Sequence, residues 1–162
     1  MESNQEGLEI DHHSFQLGMI NCFVEMVACG VKKLALSPPL KPDDYETIKN
    51  SSETIVDAFG VKSYLEQSLI VTDLQSEEFT QGKYSILYYK DDSVLESYLN
   101  LKKRKSELVK EGRYNQKARK QISREFMSLL SYPEKIIEEK LSQKSPSSPY
   151  MLGNDNEQKK AT

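Results

Sequence analysis

Two segments thirty residues apart, Gly30-Val31-Lys32 and Gly60-Val61-Lys62, carry the same three residues. Each closes a helical apolar pattern and opens a short strand-like run. A helix, a glycine stop and a strand, twice in succession, constrain the fold more than any other feature of the chain. The pattern suits a right-handed crossover with the two strands parallel, and a three-residue match repeated once is too little for a solenoid.

The first helix is predicted from about His12 to Cys29, where Phe15, Met19, Cys22, Met26 and Cys29 recur at helical spacing. Lys33 to Ser37 reads as a strand, because Gly30 and Pro38-Pro39 bound it and no helix passes through those prolines. Pro42, Asp43 and Asp44 open a second helix, whose apolar positions Tyr45, Ile48, Ile55 and Phe59 run up to Gly60 across a weak centre at Asn50-Ser51-Ser52. Strand two follows over residues 61–65. Leu69 to Leu74 and Lys83 to Lys90 are further strands, the latter apolar on both sides and therefore central. Gln67-Ser68 is a poor hairpin turn, so 61–74 also reads as one long bulged strand. Asp91-Asp92-Ser93 caps a helix to about Glu111, stopped by Gly112, Asn115 starts another to about Leu130, and Pro133 opens a last one to Leu141.

The order is α-β-α-β-β-β-α-α-α. It implies an α/β fold with a small mixed sheet of three or four strands and a C-terminal helical hairpin or bundle. Residues 1–10 and 142–162 are polar and expected to be mobile tails. A single domain is expected over 11–141, with 102–141 its basic, helical part. About 130 residues suffice for a core without disulfide staples.

Charge is strongly sorted along the chain. Residues 102–124 hold ten Lys/Arg against Glu107 and Glu111, a balance of +8, whereas residues 1–101 hold seven Lys and seventeen acids, a balance of −10; the net charge is −3. The basic candidates are the run Lys102, Lys103, Arg104 and Lys105, and the helical stripe Lys117, Lys120 and Arg124 opposite Ala118, Ile122, Phe126 and Leu129. Such a face suits an acidic partner, a second copy of the chain, or a phosphate backbone with Tyr114 nearby for stacking. No nucleic-acid recognition motif accompanies it, which makes nucleic acid the weaker choice.

Cys22 and Cys29 stand seven residues and roughly 10.5 Å apart on one helix, beyond disulfide reach, and read as reduced, buried thiols in the cytoplasm. No apolar run spans a bilayer, so no membrane role is expected. The glycines are scattered singly and no Cys-x-x-Cys occurs, so neither a phosphate-cradling loop nor any cofactor is indicated.

Helix one is apolar or small around nearly its whole circumference except for one stripe of Ser14, Gly18, Asn21 and Glu25. In a pocket, Glu25 oriented by Asn21 would serve as general acid or base, with Ser37 brought near Ser14 and Gly18 at the carboxyl edge of a parallel strand pair. The simpler reading makes the stripe the wet face of the helix. His12 and His13 diverge by 100° and cannot easily share an ion, so exposed surface histidines are expected. The surplus apolar circumference of helix one requires cover from the late helices or from a second copy in a homodimer. With no catalytic motif above chance, the expected role is a small cytosolic ligand-binding or protein-interaction module. An enzyme using Glu25 and a nucleic-acid binder using 102–124 are the alternatives.

Overall fold

The computed structural model describes residues 9–75 and 77–142. Most of both expected tails lies outside the described residues. In chain order the elements are α1 (His12–Ala28), β1 (Leu34–Leu36), α2 (Pro42–Phe59), β2 (Lys62–Glu66), α3 (Glu77–Thr80), β3 (Ser85–Tyr89), α4 (Asp92–Lys110), α5 (Gln116–Leu129) and α6 (Glu134–Ser142). Local chemistry sets the boundaries. Asp11, Asp91 and Asn115 each accept a backbone N–H of the helix they open, and Gly60 takes the left-handed conformation that ends α2.

The sheet order is β1-β3-β2 and every pairing is antiparallel. β1 and β2 therefore do run in the same direction, as a crossover through α2 requires, but they are not neighbours. β3 is inserted between them and fills the crevice that an adjacent parallel pair would have opened. It is central and buried at all five positions. The expected strand at Leu69 to Leu74 is instead an extended, irregular strap, and α3 is a short helix the sequence did not signal. The β2–β3 ladder ends at Glu66, which pairs with Ser85, the first residue of β3.

The alternation of β3 divides the core. Ile86 and Tyr88, with Ala35 of β1, face Ile20, Val24 and Val27 of α1 and Ile48 and Val56 of α2. Leu87 and Tyr89, with Leu34 and Leu36, face Tyr98 and Leu101 of α4, Ile122 and Phe126 of α5 and Ile137 of α6. The sheet is thus sandwiched between α1–α2 and α4–α6, an α/β architecture with a helical C-terminal region. The late helices cover the second sheet face and do not close over the outer side of α1.

A corner links the two sides. Ser131, which follows α5, has φ 65°, the one left-handed non-glycine among the described residues. Its hydroxyl accepts from Lys33 N at 2.9 Å, while Lys32 Nζ donates to Leu130 O at 2.9 Å.

Candidate functional site

The face of α1 that enters the core comprises Gln16, Ile20, Val24 and Val27. Ser14, Gly18, Asn21 and Glu25 lie on the opposite arc and all are exposed. Ser14 N donates to the Asp11 carboxylate as part of the helix cap, and a Cβ on Gly18 would meet nothing within 4 Å, so no close approach requires this glycine. The stripe is the wet face of the helix. Cys22, Met26 and Cys29 are exposed beside it, which corrects the expectation of buried thiols. Two apolar faces competed for the interior, and the more hydrophobic one, carrying β-branched Ile20, Val24 and Val27, took it.

Ser37 does not join the stripe, because its side chain is buried at the end of β1. Ser37 N donates to Ile86 O at 2.8 Å, and its hydroxyl accepts from Ile86 N at 2.9 Å and donates to Pro38 O at 2.9 Å. The hydroxyl carries the ladder up to Pro38-Pro39, which have no N–H to offer, before Leu40 and Tyr84 resume pairing. The five expected pocket residues are therefore not assembled around one space.

The basic candidates are largely committed within the molecule. Lys102 Nζ donates to Glu66 Oε2 at 2.8 Å and to Ser68 O at 2.6 Å, and Lys105 Nζ donates to Val71 O at 2.6 Å while lying over the Tyr114 ring. Burial holds the Lys105 ammonium below its ordinary pKa. Arg104 pairs with Glu125 at 2.6 Å, Lys103 lies 3.9 Å from Glu107, and Arg124 contacts both Glu134 and Glu138. Lys117 and Lys120 are exposed, make no ion pair among the described residues, and line an open groove with Gln116, Gln121 and Arg124.

Sequence reasoning missed what these cations hold. The strap after β2 cannot use sheet pairing, so its polar groups turn to side chains of α4 and α5. Tyr98, Lys102 and Lys105 form one helical stripe along it. Ile70 N donates to Tyr98 Oη at 3.3 Å, Tyr98 Oη donates to Glu66 Oε2 at 2.9 Å, and Ser68 N donates to Glu66 Oε1 at 2.9 Å. Farther along, Asp73 N donates to Ser123 Oγ at 2.9 Å, Ser123 Oγ donates to Asp73 Oδ2 at 3.0 Å, and Arg119 pairs with the same carboxylate at 2.6 Å. Burial, then the adjacent Glu66 charge, pushes the Tyr98 phenol far above its ordinary pKa, so it works only as a hydroxyl. Glu66 is buried with both oxygens holding partners, an arrangement that anchors a strap.

At the other end of the molecule the histidines are not idle. Asp44 of α2 lies 3.0 Å from His13 Nε2 and 3.7 Å from His12 Nε2, which ties the start of α1 to the start of α2. Gln16 Nε2 meets His12 Nε2 at 3.0 Å. Among the described residues no group of three or more His, Cys, Asp or Glu side chains is arranged to hold a metal, and no helix is long and apolar enough to cross a membrane. Comparison with protein-family models, with curated proteins and with solved structures found no match.

Proposed function

We propose that this chain is a small protein-interaction module without catalysis of its own, presenting the outer face of α1 to its partner. The observation that carries this reading is the uncovered end of that helix. Met26 is 38% exposed and Val31 67% exposed, and Val31 N donates to Met26 O, so the two sit together beside the exposed Cys22 and Cys29. Large exposed apolar side chains that cluster rather than scatter mark contact surfaces, and the unbranched, polarisable Met suits an adaptable one. Two exposed free thiols fit a reducing compartment, in keeping with work in the cytoplasm. Glu25 lies exposed on the wet face of α1, which weighs against the acid–base reading.

Affinity purification of the tagged full chain from the cells that make it tests the proposal, with Met26→Asp/Val31→Asp as the comparison and matched thermal melts as the folding control. A protein retained by the wild type and lost by the double variant is expected. Identical recovery by both overturns the reading.

A further inference from the structure

The outward faces of α2 and α5 carry opposite charge in matching geometry. On α2, Glu53 and Asp57 are both exposed and lie roughly 100° or more around the helix from the middle of the buried Ile48–Ser52–Val56 face, with Lys49, which pairs with Glu46, one turn before Glu53. On α5, Lys117 and Lys120 project from the face opposite Ile122 and Phe126. The acids are four residues apart and the lysines three, a rise of roughly 6 Å against roughly 4.5 Å, so the two pairs match in span.

One member of each pair, Asp57 and Lys117, also sits at the wrong end of its own helix. The last turn of α2 contains Asp57 and no basic residue, and the first turn of α5 contains Lys117 and no acidic one. Negative charge at a helix C-terminus and positive charge at an N-terminus are both disfavoured by the peptide dipoles. Bringing the end of α2 against the start of α5 relieves both at once. It cannot happen within one copy, because α2 packs on the Ala35–Ile86–Tyr88 side of the sheet and α5 on the Leu34–Leu87–Tyr89 side.

We infer that the protein self-associates head to tail, the Glu53/Asp57 face of one copy seating on the Lys117/Lys120 groove of the next. The contact is heterologous, so each added copy leaves one face of each kind free until a ring closes, and the assembly is not limited to a dimer. Exposed ion pairs are individually weak and screened by salt, so the association is transient and belongs to low ionic strength. It uses neither Met26 nor Val31. It goes beyond the α1 reading, and either can fail without the other.

Sedimentation equilibrium of the full chain tests it. In 20 mM salt the weight-average mass should rise above 18.6 kDa with concentration and pass the dimer value, and in 0.5 M salt it should fall back to 18.6 kDa. Lys117→Glu/Lys120→Glu and Glu53→Lys/Asp57→Lys should each stay monomeric alone, and their equimolar mixture should associate again. A wild type that is monomeric at low salt overturns the inference, as does a dimer plateau or association unaffected by either charge reversal. A fluorescein-labelled single-stranded RNA in the same buffer is the last arm. If the wild type binds it, the Lys117→Glu/Lys120→Glu variant does not, and the wild type is monomeric without it, the groove serves a polyanion and self-association is rejected.

Discussion

Ser37 shows how much one small polar side chain can carry. The strand must pass from a regular ladder into two prolines, and the buried Ile86 N–H opposite would lose its acceptor there. The hydroxyl supplies it. Ser37→Ala removes the acceptor and lets no water in, so unfolding free energy should drop by about 1–3 kcal/mol, the cost of a stranded buried donor. Urea titration checks this: the midpoint should move down with the slope unchanged, and a midpoint equal to that of the wild type would show that Ile86 N finds another partner. The sequence reveals that Ser37 ends a strand, because Pro38-Pro39 is local information. It does not reveal which N–H the hydroxyl meets, because Ile86 lies 49 residues away.

At the scale of elements, what was legible is what local chemistry decides. Aspartate and asparagine caps, glycine stops and apolar spacing locate all five long helices to within about two residues, the ordinary ambiguity of helix ends. β3 also reads correctly, since apolar residues on both faces leave only a central position for it. The strap at 67–75 does not read correctly, because Leu69-Ile70-Val71 has every local mark of a strand and lacks only a neighbour. Its backbone is held instead by Tyr98, Lys102 and Lys105, so lysines that look like a binding patch are structural. Lys102→Met leaves Glu66 buried without its counter-ion. Because Lys102 is itself partly solvated, the expected cost is about 2–3 kcal/mol, at or below the lower end of the range of about 3–5 kcal/mol for breaking buried pairs. Hydrogen exchange should speed at Ile70 and Asp73 before the core strands, and Glu66→Gln added to Lys102→Met should restore much of the loss. Uniform acceleration across β3 would mean that the strap is not a separate unit.

For the whole molecule, the charge sorting seen along the chain is not the charge distribution of the fold. Lys102 returns to Glu66 and Arg119 to Asp73 across the two parts, while Lys103, Arg104, Arg113 and Arg124 pair with acids of the late part itself, so most of the cations of the +8 segment are engaged inside the molecule. Lys117 and Lys120 are not used in this way, because α5 and the acidic end of α2 lie on opposite sides of the sheet. The same layering decides how far the chain depends on its C-terminal helices. α1, α2 and the three strands are complete by residue 90, yet Leu34, Leu36, Leu87 and Tyr89 find their cover in α4–α6 and in Leu69, Ile70 and Leu74 of the strap, which α4 and α5 themselves hold in place. Exposing these four side chains forfeits about 1.5–3 kcal/mol each, or about 6–12 kcal/mol together. That is comparable with the whole stability of an ordinary domain, about 5–15 kcal/mol. A fragment of residues 1–90 should therefore show no cooperative thermal transition and should bind a hydrophobic dye, whereas co-expression with residues 91–162 should restore both the transition and a dye-free surface. A cooperative melt of the fragment alone would mean that α1, α2 and the sheet stand without the second layer, and that the late helices are an attachment rather than half of the core.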